Sequence, residues 1–250
     1  MKEKIPYALQ ACLALLNADG IALKKAGDHF CFSKEDKNLN FVLSGETYRI
    51  PENIEYTVLH EDQLLSAPTK MAALIRSKLK GNKIIFARNC SWKKCDAKTA
   101  QDFLNAYHIM NATKSAFNCA LVYKDEIVAL ASFSKGRKMN RLREDQRSYE
   151  LIRFCCKDGI TVAGGLTKLV LNFCREKKAG DIMTYVDKQL SDGKTFVSAG
   201  FKKHSESEPH YFLVDKVSKE RTVCLNKDSF DHDKFYLSHN AGNIKLVFTP

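Results

Sequence analysis

The sequence holds no apolar run near the roughly 18–20 residues that a membrane helix needs, so no membrane partner is expected. It has a single tryptophan, no internal repeat and no low-complexity stretch. Its glycines never take the GxGxxG or Walker spacing of nucleotide-binding folds. Cysteine is present without order: nine stand at positions 12, 31, 90, 95, 119, 155, 156, 174 and 224. The number is odd and no paired CxxC elements occur, which excludes a disulfide framework and a paired zinc site. Cys90 and Cys95 could bracket a metal, but no partner pair follows at ligand spacing, so no metal is expected. Most of the others lie in apolar runs such as "LIRFCCK" and "LVLNFCRE", where a free thiol behaves as a small hydrophobe. That usage implies a reducing, cytoplasmic setting. "PYALQACLALLNADG" near the start is interrupted by Asp19 and reads as an amphipathic helix, not a secretory signal.

Acid is the scarcer charge. Forty basic residues stand against 29 acidic ones, for a net charge of +11. The excess is moderate and fits a polyanionic partner. "KGRKMNRLREDQR" gathers Lys135, Arg137, Lys138, Arg141, Arg143 and Arg147, and a second cluster runs from Arg76 to Lys94. Such segments are either solvated charged loops or contacts to nucleic-acid phosphate. Arg137, Lys138, Arg141, Arg143 and Arg147 are accordingly the nucleic-acid-binding candidates, with DNA or another nucleic acid as partner.

The chain of 250 residues suffices for one large domain or two small ones. Residues 1–80 open with a helical pattern (Leu9, Cys12, Leu13, Leu16), and the runs "GIALKK", "HFCFS", "NFVLS" and "ETYRI" predict a small antiparallel sheet. "APTKMAALIRSKLKG" reads as a helix with Ser66 or Thr69 as cap, Pro68 in its first turn and Gly81 at its end. From Lys83 the order becomes strand ("KIIFARN"), helix capped by Asp96, a hairpin turning at Lys124-Asp125-Glu126, strand ("SYELIRFCC"), helix, strand ("DIMTYVD"), short helix and strand ("HYFLVD"). The fold class predicted is α/β (α+β), a mixed central sheet flanked by helices and preceded by a small N-terminal α/β domain. The expected boundaries are 1–80, 83–215 and an ordered extension, 216–250, packed on the second domain.

A strand ending near Cys156, a turn to Gly165 and a helix from Leu166 would set a helix N-terminus at the end of a sheet strand. Its unpaired N–H groups and positive dipole end attract phosphate. Gly164 and Gly165 remove side chains, and Lys168 adds charge; helix-start packing is the alternative reading. The blocks "KIIFARNC", "FLNAYHIMN", "ALVYKDEIVALASFSKGR", "YELIRFCCKDGITVAGGLTKLV" and "TYVDKQLSDGKTFVSAGF" resemble, in this order, the Mom-like domain related to the GNAT N-acyltransferases. That domain is found in phage DNA-modification and homing-endonuclease-like proteins. The resemblance covers roughly Lys83 to Asp215. It implies a GNAT-like sheet, an acetyl-CoA or other acyl-CoA donor held by Ala163, Gly164, Gly165, Leu166, Thr167 and Lys168, and transfer to an amine, including one on a nucleic-acid base. Two departures stand out: Thr161 and Leu166 replace the usual residues of the acetyltransferase loop, and Phe196 stands where a proton-donating Tyr is usual.

Four residues are candidates for catalysis. Glu150, on a central strand, suits a general base, and Asp187 ends a strand where α/β sheets place ligands. Asp187 also suits a cap for a helix from Ser191. Tyr185 shares the Asp187 face by period two. His108 suits a base, a base-edge contact or a helix C-cap. Arg153, three residues from Glu150, is expected on the opposite face. Trp92 suits base stacking or core packing. A non-catalytic nucleic-acid-binding protein is the rival function. The segment Tyr56–Gly81 also resembles the end of a very-short-patch-repair-like nuclease domain, for which Asp19, Lys24, Asp28 and Glu61 are the available residues; a degenerate, non-cleaving accessory domain is expected there. Oligomeric state is open.

Overall fold

A computed structural model describes residues 5–27, 29–46 and 57–250, and the chain divides into two units. The first comprises Met1–Gly81 and Glu208–Gly242; the second comprises Asn82–Ser207 and Asn243–Pro250. Among the described residues no helix is long and apolar enough to cross a membrane.

In the first unit, α1 (Tyr7–Asn17) buries Ala8, Leu9, Cys12 and Leu16, the face that the sequence periodicity predicts. The strands β1 (Ala22–Ala26), β2 (His29–Lys34) and β3 (Lys37–Ser44) form an antiparallel meander, but β4 (Thr57–His60) joins β3 in parallel, so the sheet is mixed. "ETYRI" lies almost wholly outside the described residues. After α2 (Glu61–Ser66), α3 (Pro68–Leu79) begins with Pro68 at its first position. Neither Ser66 nor Thr69 caps it; the N-cap is Ala67, because proline needs no N–H partner there.

The second unit begins with β5 (Lys83–Phe86) and β6 (Ser91–Lys94), followed by α4 (Ala97–Tyr107). Asp96 caps α4 by accepting the Thr99 N–H at 2.9 Å. β7 (Phe117–Tyr123) and β8 (Glu126–Phe133) form the expected hairpin. Lys124 and Asp125 both take positive φ, which a two-residue turn of this twist requires. Then come β9 (Arg147–Cys156), β10 (Ile160–Ala163), α5 (Gly165–Lys177), β11 (Ala179–Asp187), α6 (Lys194–Ser198) and β12 (Lys202–Glu206).

The chain next supplies β13 (Tyr211–Asp215), β14 (Arg221–Val223) and β15 (Phe235–His239), a three-stranded sheet of the first unit. It returns with β16 (Asn243–Phe248), which inserts between β11 and β12. The predicted boundaries at 215 and 216 therefore shift. "HYFLVD" pairs with β14 and β15 and leaves the main sheet, while only the last eight residues extend it. Strand alternation alone carries no information about which sheet a strand joins.

The central sheet has the order β12-β16-β11-β9-β8-β7-β6, mixed in direction, with helices against it. One face packs on α5 through Leu166, Leu169, Val170, Phe173 and Cys174. Phe173 stacks on Phe133 at 3.8 Å between centroids and meets Tyr149 edge-on at 5.1 Å. The other face carries Leu130, which packs with Ala100, Phe103 and Leu104 of α4. Cutting Phe173 back to Ala should destabilise the second unit by about 3–5 kcal/mol, read as a lower urea midpoint. A loss below about 1 kcal/mol would mean that the Phe133–Phe173–Tyr149 cluster is not the centre of this core.

Candidate functional site

β10 was not anticipated as a strand. It pairs in parallel with β5, Ile160 to Lys83 through Ala163 to Phe86, and delivers the chain to Gly164. Gly164 is the N-cap of α5 with φ of 74°, a left-handed conformation that side chains resist. No side chain caps α5, so the N–H groups of its first turn, Gly165 to Thr167, lack the partner a cap supplies. A Cβ on Gly165 would stand 2.9 Å from Val162 Cβ, so this glycine permits close packing of helix on strand. Lys168 does not point its charge at the turn: its ammonium donates to the carbonyls of Ala87 (3.0 Å) and Cys90 (2.5 Å). It ties the turn to the segment after β5. Beside the turn, Ile84 is 61% and Phe86 50% exposed, and the Arg88 guanidinium lies 5.0 Å from the Phe86 ring centre. Nothing in the alternation of "KIIFARN" distinguishes these exposed positions from core.

The second element of the site is a β-bulge in β9. Ser132 of β8 pairs with Arg153, but the next residue, Phe133, pairs with Leu151, so Ile152 is extra. Side chains alternate with period two, and one added residue reverses the phase beyond it. Tyr149 and Leu151 pack on the α5 face before the bulge; Phe154 and Cys156 pack on it after. Glu150 and Arg153 consequently share the opposite face, contrary to the expectation from their spacing. The sequence carried the signal: the apolar rhythm Tyr149, Leu151, then Phe154, Cys156 slips by one.

On that face the structure brings several predicted residues together. Glu150 pairs with Met183 in the parallel β9–β11 ladder, and Tyr185 and Asp187 follow Met183 on the same side. The backbone pairing of β9 with β11 ends at Glu150 and Met183. Beyond it the Thr184 hydroxyl donates to the Leu151 carbonyl at 2.9 Å, after which β9 remains with β8 and β11 with β16. Tyr185 is 47% exposed. Asp187 accepts the Gln189 N–H at 2.8 Å in the turn after β11, and α6 starts only at Lys194, so it does not cap that helix.

Arg153 donates from Nε to the Asn111 carbonyl (3.2 Å) and from Nη1 to the Ile152 carbonyl (3.0 Å). Burial lowers its pKa, an effect the nearby Glu150 carboxylate opposes. His108 is the C-cap residue of α4; its Nδ1 accepts the Met110 N–H at 3.1 Å, so this ring nitrogen serves the turn. Phe196 meets Phe201 edge-on at 5.7 Å, as packing. Trp92 packs against the α5-face core and is not an open stacking platform.

The basic segment 135–147 is a packed strap, not a free arm. Leu142 lies where a Cβ on Gly180 would clash at 2.8 Å, and Arg137 bridges to Ser148. Arg141 holds the buried Asp181 carboxylate through Nη2 (2.6 Å) and Nε (3.1 Å), while the other oxygen, Oδ1, is buried with no partner. Arg147 is turned onto the Glu144 and Gln146 carbonyls, and Arg143 lies 3.9 Å from Asp145. Arg137 and Lys138 are exposed. This strap sits at the start of β9 and β11, whereas the glycine turn follows the end of β9.

Of the nuclease candidates, Asp28 lies outside the described residues. Asp19 is bound by Arg76 (2.6 Å) and Lys80 (3.0 Å), Lys24 is on β1, and Glu61 starts α2. Among the described residues no group of three His, Cys, Asp or Glu forms that could hold a metal. Four of the thiols are not poised nucleophiles: burial pushes Cys12, Cys119 and Cys174 up to about 12 and Cys95 to about 11.

No protein-family model matches the chain, and no curated protein is similar to it in sequence. Solved structures are similar at low identity. A GNAT family acetyltransferase from Elizabethkingia anophelis with acetyl-CoA bound is 13% identical, over 65% of this chain and 99% of that one, at a TM-score of 0.40. Arabidopsis thaliana Naa50 in complex with the bisubstrate analogue CoA-Ac-MVNAL is 10% identical over 65% and 99%, at 0.42. The ribosomal-protein-S18-alanine N-acetyltransferase from Escherichia coli is 10% identical over 64% and 93%, at 0.39. At such identities no residue role passes from them to this chain.

The hydrogen bond from Arg76, joined by that from Lys80, holds the Asp19 carboxyl below its ordinary pKa. A depressed folded value contributes stability above the unfolded pKa, and this is lost as pH falls through the folded one. Asp19→Asn should therefore lower stability at neutral pH and flatten the loss on acidification below about pH 4. Urea titrations at both pH values check this; parallel pH profiles for the two proteins would refute the ion-pair role.

Proposed function

We propose that this protein transfers an acyl group from a CoA-type thioester to an amine, using the second unit. The observation that carries the reading is the end of the β9–β11 ladder at Glu150 and Met183, together with an uncapped, glycine-started helix entering between the same two strands in sequence. The donor's phosphates would be held by the first-turn amides from Gly165 to Thr167, with Ala163 and Gly164 bringing the backbone close and Leu166 buried beneath. Lys168 fixes the turn instead of touching the ligand, and the apolar ring of Phe86 with Arg88 adds a surface beside it.

A bound acyl thioester supplies the electrophilic carbonyl. On the protein's side, Glu150 takes the proton that the attacking amine sheds as the nitrogen–carbon bond forms. The Ile152 amide, left out of the ladder by the bulge, is the donor available to the carbonyl oxygen. Tyr185 returns a proton to sulfur as the carbon–sulfur bond breaks, the role Phe196 has no group to perform. Where the amine belongs to a nucleic-acid base, Arg137 and Lys138 of the strap are the phosphate contacts. Loss of the proton donor at Phe196 and retention of that strap favour the rival reading, a binding protein without catalysis.

Thr167→Glu separates these readings. A carboxylate in the first turn suits the helix dipole, so the fold is kept, but it repels phosphate. At about 100 times Kd, CoA should stabilise the parent chain by roughly 2.7 kcal/mol, a rise of a few degrees in Tm. The variant should show no rise. An unmoved parent chain at millimolar CoA would sink the transferase reading.

A further inference from the structure

The parallel pair of β5 and β10 has one face in the core and one face bare. Ile85 and its register partner Val162 are buried with the α5-side core. Strand alternation turns Ile84 and Phe86 the other way, across from Thr161 and Ala163. One exposed apolar side chain calls for no explanation. Here two stand on the same face of a short strand, and the exposed Arg88 lies over the second ring, so together they form a shelf. Among the described residues no carboxylate pairs with Arg88, so its charge is not spent on the fold.

The shelf is fixed at the end nearest the glycine turn. Phe86 stands directly across from Ala163, the residue before Gly164. The buried Ala87 would lie 3.7 Å from a Cβ on Gly164. The two carbonyls that hold Lys168 are those of Ala87 and Cys90, and the Cys90 N–H returns to the Ala87 carbonyl at 3.0 Å. Arg88 thus sits in a tight turn, Ala87–Asn89, with an anchored residue on either side. An aromatic ring and a guanidinium are held beside the amides of Gly165 to Thr167 before any ligand arrives.

We propose that Ile84, Phe86 and Arg88 bind the nucleoside end of the CoA-type donor, with the adenine packed on the Phe86 ring and Ile84 and the ribose 3′-phosphate paired with Arg88. The identity of the donor rests on the transferase reading. In CoA the adenosine is joined directly to the diphosphate, so a diphosphate at the first turn of α5 brings the base within reach of the neighbouring strand. The 3′-phosphate is a separate dianion and calls for its own cation. Lys168 is bound to carbonyls, which leaves Arg88. Ile84 and Phe86 lie about 7 Å apart along the strand, room for one base and not for a run of stacked ones.

The test is isothermal titration calorimetry of the full chain with CoA, with dephospho-CoA, which lacks the 3′-phosphate, and with adenosine 3′,5′-bisphosphate, which lacks the pantetheine arm. CoA should bind about tenfold tighter than dephospho-CoA, and Arg88→Gln should erase that difference without weakening dephospho-CoA. Phe86→Ala should weaken all three ligands by about tenfold, and Phe86→Trp should not. Equal affinity of the parent chain for CoA and dephospho-CoA would overturn the proposal. So would a CoA affinity indifferent to both Phe86→Ala and Arg88→Gln; if Thr167→Glu still abolished it, the transferase reading would stand without the shelf. Adenosine 3′,5′-bisphosphate held through Phe86 and Arg88, with CoA no tighter and untouched by Thr167→Glu, would keep the shelf and remove the transferase reading. An oligonucleotide bound through Phe86 by a chain that ignores CoA would overturn both.

Discussion

One additional residue in β9 organises the second unit. Ten residues of β9 must keep apolar side chains against α5 along the whole strand while the strand changes partner midway, from β11 to β8 alone. A regular strand with this sequence would turn either Tyr149 and Leu151 or Phe154 and Cys156 away from Phe173 and its neighbours. Ile152 absorbs the mismatch, and its backbone is released from the ladder. The same irregularity lets β9 part from β11 and sets Glu150 and Arg153 on the face opposite α5. Core packing and site geometry therefore share a single cause.

The two ends of this strand differ in electrostatic character. Nine steps at about 3.3 Å separate Arg147 from Cys156, so the strap and the segment leading to the glycine turn lie on the order of 30 Å apart. At the far end the positive potential comes from backbone, since Lys168 is consumed by the Ala87 and Cys90 carbonyls. At the near end it comes from side chains, of which Arg141 is spent on Asp181. Both cationic clusters in the sequence contribute less free charge than their composition suggests, since Arg76 and Lys80 are held by Asp19 and Lys94 by Glu176, as Arg141 is by Asp181. Buried ion pairs and carbonyl contacts use part of the net +11 to hold loops in place.

Much of the fold was legible because local rules decided it. The Asp96 cap, the Lys124–Asp125 turn, the Gly164 helix start and the amphipathic faces of α1 and α5 each follow from a few neighbouring residues. Long-range pairing was not legible. Nothing local tells β13 to join β14 and β15, or β16 to enter between β11 and β12. For the candidate site, Glu150, Tyr185 and Asp187 were chosen by position on strands, and the β9–β11 register sets them on one face. Arg153 was misplaced because a strict period of two was assumed, although the slip from Tyr149–Leu151 to Phe154–Cys156 was visible.

Phe196 is best understood through its neighbours. Its ring meets Phe201 edge-on, and Phe201 in turn packs on Phe248 of β16 at 5.4 Å. A Cβ on Gly200 would stand 3.1 Å from the Phe248 ring, so the turn after α6 is closed tightly over β16. A tyrosine at 196 would have to direct its hydroxyl out of this cluster or find a partner within it, since an unpaired buried hydroxyl is costly. Phenylalanine satisfies the packing and gives up the proton. Tyr185 has the opposite balance: half exposed, beside the face of Glu150 and clear of the α5 core, it retains an ionisable group at little packing cost. If acyl transfer occurs here, the division of labour between these two aromatic residues, one for structure and one for the proton, follows from where the apolar contacts are needed.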